Sequence, residues 1–134
     1  MSVPEHLFYT KEHEWVELKE DCAIIGITDY AQSQLGDVIF VEFPEIGSNV
    51  NCGTSFGEVE AVKTVSDLYA PLSGRVLSIN DEIDNEPDLV NSDPYEKGWL
   101  IKISPSKSEE KKDLMNANEY KDFISWMSVL DSII

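Results

Sequence analysis

With 26 acidic against 10 basic side chains in 134 residues, the chain has a formal net charge of −16. That balance argues against nucleic acid and anionic membranes as partners, since both attract Lys/Arg surfaces. The length is that of one domain able to bury a core, and 42% hydrophobic with 27% charged residues is the mix of a folded protein.

No apolar stretch approaches the roughly 20 residues needed to span a bilayer, and the start lacks the basic and apolar runs of a secretory leader. Residues 1–14 read as polar and end in Lys11-Glu12-His13-Glu14. Trp15 to Leu18 reads as a strand, Glu20-Asp21 as a turn, and Cys22 to Thr28 as a β-branched second strand completing a hairpin. Thr28 or Asp29 is placed to cap a short helix through Leu35, which Gly36 ends. Val38 to Phe43 reads as a buried strand stopped by Pro44, and Gly47 to Gly53 is turn-rich around Val50.

The stretch from Gly57 to Gly74 reads as a hairpin with Val62-Lys63 at its tip. In that register Ala61 lies opposite Thr64, Val59 opposite Ser66 and Gly57 opposite Leu68. Side chains alternate along strands, so these six share a small or apolar face that can pack on a core. The other face carries Phe56, Glu58, Glu60, Val65, Asp67 and Tyr69. Two features work against the hairpin: the turn has neither Gly nor Asn, and Glu58 faces Asp67, a like-charge pairing. A feature that opposes stability is a place to look for function.

Arg75 to Ile79 is a further strand, Asn80 to Pro94 a long acidic connection, and Trp99 to Ile103 a last strand. Many short strands between regular turn signals suggest an all-β barrel or sandwich. Gly47-x-x-Val50-x-x-Gly53 before the hairpin and Gly74-Arg75-Val76 after it are a faint internal echo, as of two similar halves meeting at the lysine. After a polar linker from Ser104 to Lys112, Asn116-x-x-Glu119 resembles a capping box. Tyr120, Phe123, Met127, Leu130 and Ile134 then mark one helix face, which Trp126, Val129 and Ile133 widen.

Other chemistries find little support. His6 and His13 have no further ligands at zinc spacing. Cys22 and Cys52 match no Cys-x-x-Cys pattern and are expected as small apolar filler in a reducing compartment. Counted from Asp81, an EF-hand loop would need Gly and Glu where Glu86 and Ser92 stand. Phosphate-binding and nucleophile-elbow motifs are missing from the sequence, so it does not read as an enzyme. A lysine at a surface turn is by default only a solvated lysine; the acids around Lys63, the small inner face and the Pro71-x-x-Gly74 exit favour a modified one.

The motifs resemble those of the H proteins of the glycine cleavage system, lipoyl carriers, from Tyr9 to about Ser125. The blocks are His13-Glu14-Trp15, Gly26-Ile-Thr-Asp-Tyr-Ala31, Leu35-Gly-Asp-Val38, Gly57-Glu-Val-Glu60, Val62-Lys63, Ser66-Asp67, Ala70-Pro71, Ser73-Gly74, Asn91-Ser-Asp-Pro-Tyr95, Gly98-Trp99 and Glu119-Tyr120. Lys63 stands where the family carries lipoate, with Ala61 where Ser is common and Thr64 where Ala or Ser is common. The resemblance implies a mainly β fold, a flattened barrel-sandwich hybrid of the lipoyl/biotinyl-carrier kind with short helices and a C-terminal helix. It is expected as a single domain over residues 1–134, its β core about 15–103 and its helical segment about 109–134.

The resemblance also implies the chemistry. Lipoic acid amide-linked to Lys63 would receive an aminomethyl group from a glycine decarboxylase that uses pyridoxal phosphate. An aminomethyltransferase would pass the one-carbon unit to tetrahydrofolate, and dihydrolipoamide dehydrogenase would reoxidise the dithiol. A lipoate-attachment enzyme would load the lysine. Amidation removes the lysine charge, the cofactor supplies the chemistry, and tethering raises effective concentration at each enzyme. A carrier should dock the cationic loaded end in a cleft beside a carboxylate, for which Glu14 or Asp67 is the expected source. The carrier is expected to be monomeric and non-catalytic, and the missing leader fits the bacterial cytoplasm, or the mitochondrial matrix as a mature form. The readings weighed against it are an H-like relay that hands lipoate to other carriers and an unmodified, acidic, β-rich interaction module. The Val62-Lys63-Thr64 turn favours neither the Asp-Lys-Ala of 2-oxoacid dehydrogenase lipoyl domains nor the Met-flanked lysine of biotin carriers.

Overall fold

Two antiparallel sheets face each other in the computed structural model, which describes residues 1–133 and side chains through residue 130. The strands are β1 (Phe8–Tyr9), β2 (Glu14–Leu18), β3 (Ala23–Ile27), β4 (Val38–Glu42), β5 (Asn49–Val50), β6 (Ser55–Ala61), β7 (Val65–Tyr69), β8 (Gly74–Ile79) and β9 (Ile101–Pro105). Six form one sheet in the order β1-β2-β3-β9-β8-β5, and three form the other in the order β4-β6-β7. Ile25, Val76, Ile101 and Ile103 of the larger sheet meet Val41, Val59 and Leu68 of the smaller in one buried core, the arrangement by which alternating strands hide their apolar faces. The architecture is the mainly β barrel-sandwich hybrid expected.

The two segments of the internal echo pair with each other: Asn49 lies opposite Arg75 and Val50 opposite Gly74. Gly74 has no room for a side chain, because a Cβ there would lie 2.4 Å from the Ser104 carbonyl oxygen.

Helix α1 (Asp29–Leu35) begins at Thr28, whose hydroxyl accepts from the Ala31 N–H, and ends at Gly36. Between β8 and β9 the acidic connection is not a bare loop. It holds α2 (Glu82–Asn85) and α3 (Leu89–Ser92), pinned by buried Ile83 and Val90. Asn80 and Asn91 fix it further. Asn80 donates to the Lys97 and Trp99 carbonyls, and Asn91 donates to the Gly36 carbonyl while accepting from the Val38 N–H.

The linker after β9 is also structured. It forms a 3-10 helix (Ser108–Asp113), and Glu110 accepts from both the backbone N–H and the hydroxyl of buried Ser73. Asn116 and Glu119 cap α4 (Ala117–Ile133) reciprocally, each side chain accepting the other's backbone N–H. Tyr120 is buried and Phe123, Met127 and Leu130 half-buried, while Trp126 and Val129 stay exposed. The Ile133 side chain and Ile134 lie outside the described residues.

Four further expectations change. The first residues are not simply polar: Val3, Leu7 and Tyr9 are buried, and β1 adds an edge strand. In β4, Ile39 and Phe40 are both more than half exposed because an irregularity in the pairing between Val38 and Phe40 breaks the alternation in a strand whose sheet has one open face. Phe56 leaves the acidic face for the core, because a bulge between Ser55 and Gly57 reverses its direction. Cys22 is half-buried but Cys52 is exposed, its thiol donating to the Pro71 carbonyl, so Cys52 is no core filler. Among the described residues no helix is long and apolar enough to cross a membrane.

Candidate functional site

β6 and β7 pair in the expected register, Gly57 with Leu68, Val59 with Ser66 and Glu60 with Val65, and the Ala61 N–H donates to the Thr64 carbonyl across the turn. Neither Val62 nor Lys63 has a positive φ, so this is not a primed turn. Its support comes from outside: the Val62 N–H donates to the Asp37 carbonyl at 3.0 Å, tying the tip to the start of β4. Lys63 is exposed, and among the described residues nothing hydrogen-bonds or ion-pairs with its ammonium. Val62 beside it is exposed too.

The open face of the smaller sheet is acidic across its width. Glu42, Glu58 and Asp67 form one cross-strand row, with Phe40, Glu60 and Val65 in the next. Like charges directly opposite destabilise a sheet. Among the described residues the only oppositely charged side chains in contact are Lys19 and Glu17, with the His6 ring also beside Glu17, so none neutralises this row.

Beside the hairpin lies a cleft of about 370 Å³, walled by Val59, Ser66 and Leu68 of the hairpin, Tyr30 and Leu35 of α1, and Met127 of α4. Its polar groups are Glu12, His13, Glu14, Gln34 and Asp67. The structure therefore brings Glu14 and Asp67, the two expected carboxylates, to one cavity. Glu14 is only 2% exposed, and its carboxylate accepts from the Thr10 hydroxyl at 2.7 Å. Burial pushes its carboxyl up to about 7, against the opposing pull of Thr10. Asp67 is exposed, with the Tyr69 and Ser55 hydroxyls at 3.5 Å. The neighbouring Asp67 charge raises the Tyr69 phenol.

His13, Tyr30 and Met127 were not legible as cleft residues. His13 sits in a hairpin loop within a segment whose sequence is merely polar, and Met127 of α4 lines the same cavity from far along the chain. Among the described residues no cluster of His, Cys, Asp or Glu is placed to hold a metal.

A family profile described as "Glycine cleavage H-protein" matches residues 7–126. Among curated relatives, the glycine cleavage system H protein of Halalkalibacterium halodurans is 52% identical over 124 residues, covering 92% of this chain and 97% of the relative. That of Staphylococcus haemolyticus is 50% identical over 124 residues, covering 92% and 98%. Among solved structures, the crystal structure of a glycine cleavage system H protein from Mycobacterium marinum superposes with a TM-score of 0.80 at 38% identity, covering 88% of this chain and 95% of that one.

Proposed function

The chain belongs to the glycine cleavage H-protein family, the lipoyl carriers of the glycine cleavage system, and on that premise we propose that Lys63 is the residue that carries the lipoyl group. The observation that carries the reading is the Lys63 amine itself, exposed at a buttressed hairpin tip and committed to no partner among the described residues. An acylating enzyme needs that access, and amidation there breaks no existing interaction of the amine. When bound, the lipoyl group supplies the disulfide and dithiol that take up and release the one-carbon amine unit.

The chain's own residues supply placement and shelter. Residues 1–134 act as one carrier domain whose sheets hold the hairpin rigid. The cleft, with apolar walls at Val59, Leu68 and Leu35, fits the hydrocarbon of a long side-chain extension. Glu14 supplies the carboxylate for a cationic amine: with its proton held up to about 7 by burial, it ionises when a positive charge arrives beside it. Asp67 adds a second acidic group at the rim. The chain performs no catalysis of its own and works as a monomer in the bacterial cytoplasm. Its acidic open sheet face, with Phe40 and Val65, is where basic surfaces of a lipoate-attachment enzyme, a glycine decarboxylase, an aminomethyltransferase and a dihydrolipoamide dehydrogenase dock in turn.

The test is intact-mass and peptide analysis of the protein produced in cells supplied with lipoate. One lipoyl group at Lys63, and none in Lys63→Arg, is the expected result. An unmodified chain, or modification at another lysine, overturns it. A reconstituted glycine decarboxylation assay with the loaded protein then separates the glycine carrier from a lipoate relay.

A further inference from the structure

His13 occupies a backbone position that favours glycine. Its φ is 69°, in a hairpin loop closed by the His13 N–H on the Thr10 carbonyl and by the Thr10 N–H on the Glu14 carbonyl. A side chain held in that conformation is a reason to look for its task. The imidazole packs against Tyr30, ring centroids 4.8 Å apart, and against Phe123 at 5.8 Å. Its Nδ1 lies 2.8 Å from the Tyr120 hydroxyl oxygen, which lies 2.7 Å from Oγ1 of Thr28.

Counting hydrogens fixes the direction of this chain of bonds. Thr28 is fully buried, and its hydroxyl has two neighbours: the Ala31 N–H, which is only a donor, and the Tyr120 oxygen. The Thr28 hydrogen therefore goes to Tyr120. The Tyr120 oxygen has already accepted, and its own hydrogen points to the remaining neighbour, Nδ1 of His13. Nδ1 must then be bare and the proton must sit on Nε2. An imidazolium, or the opposite tautomer, would leave a buried hydroxyl hydrogen without an acceptor. Burial acts in the same sense, pulling the His13 pKa below its ordinary value, and it raises that of the Tyr120 phenol, which stays protonated. Among the described residues Nε2 has no partner, and no buried side-chain nitrogen or oxygen is unpartnered, so Nε2 is accessible, on a residue that lines the cleft.

We propose that the Thr28–Tyr120–His13 chain locks His13 as the neutral Nε2–H tautomer, presenting the cleft with a hydrogen-bond donor and withholding an imidazole base. The inference rests on the reading of this cleft as the seat of the group attached to Lys63. The titratable groups around it are Glu12, Glu14 and Asp67 along the cavity and the phenols of Tyr30 and Tyr120 against the ring. A neutral donor leaves the Glu14 carboxylate unopposed for a cationic amine. With no lone pair turned inward, the imidazole also activates no water against the sheltered cargo. Nε2–H donates instead to a sulfur or carbonyl oxygen of the docked arm. Thr28 and Tyr120 are positioning residues, acting through His13.

The test is long-range proton–nitrogen NMR of the full, unlipoylated chain at neutral pH, which reads the tautomer whether or not Lys63 is the attachment site. The expected spectrum has His13 Nδ1 at an unprotonated shift and Nε2 at a protonated one. In Tyr120→Phe and in Thr28→Val both signals move toward the average of exchanging tautomers, and in lipoylated, loaded protein the cargo's half-life shortens. An Nδ1–H tautomer or an imidazolium in the wild type overturns the proposal, and that measurement decides even where a variant fails to fold. A shortened half-life with the His13 signals unmoved overturns it too, because the loss is then structural.

Discussion

Tyr9 and Tyr120 stack face to face, ring centroids 4.6 Å apart and planes 8° from parallel, both with no exposed surface. The pair joins the first strand to the last helix, and the Tyr9 hydroxyl donates to the Pro4 carbonyl at 2.6 Å. Tyr9→Ala removes one ring and leaves a cavity under α4, which should cost about 3–5 kcal/mol. Tyr9→Phe keeps the stack and loses one hydrogen bond, about 1 kcal/mol. Urea unfolding of the two variants checks the ordering. Equal losses would mean that the stack contributes nothing.

That contact also marks where the sequence stopped being informative. The helix face of Tyr120, Phe123 and Met127 was readable from spacing, and the Asn116–Glu119 cap from residue type. What the face packs on was not, because Val3, Leu7 and Tyr9 are scattered in a segment with neither strand nor helix period. The Lys63 hairpin was legible down to its register, since period-two alternation fixes which side chains share a face. Its one failure, Phe56, lies at a bulge, where an extra residue breaks that alternation. Glu14 was legible as a candidate carboxylate but its burial was not: a charge in a strand beside Trp15 gives no sign that Thr10 and Tyr69 fold over it.

Burial of Glu14 has a pH signature. Its folded pKa of about 7 exceeds the ordinary 4.5, so between those values the folded chain holds a proton that the unfolded chain has released. Stability is therefore greatest below about pH 4.5 as far as this group is concerned, and falls as pH rises toward 7. The loss approaches roughly 1.4 kcal/mol per pH unit in the middle of the window. Glu14→Gln should lack this component, so the wild-type minus variant difference in unfolding free energy should decline from acid to neutral pH. A flat difference would show an ordinary carboxyl.

Gly57 sets how closely β6 and β4 approach. A Cβ there would lie 2.1 Å from the Glu42 carbonyl oxygen, a backbone atom that cannot turn aside. Gly57→Ala should cost about 1–3 kcal/mol through strain in a packed sheet. Because β4 begins beside the Asp37 carbonyl that supports Val62, the same change should loosen the Lys63 tip and raise amide exchange there. Thermal unfolding and hydrogen exchange at Val62 check both, and protection unchanged at Val62 would separate the tip from the sheet.

The acidic row Glu42–Glu58–Asp67 opposes stability and should report on function by being removed. Glu58 lies directly opposite both of the others, so Glu58→Gln relieves two repulsions at once. Each like-charge pair is worth about 0.2–1 kcal/mol, and the stability gain should shrink in high salt, where the screening length falls to about 3 Å at 1 M, shorter than the spacing of opposed side chains. If the row exists for solubility alone, the stabilised variant should be acylated at Lys63 as fast as the wild type. If it is the landing surface for a basic enzyme, acylation should slow while the fold becomes more stable, and the wild-type rate should fall with salt toward that of the variant. Opposite signs for stability and acylation rate, measured on one purified pair, would separate docking from folding at this face.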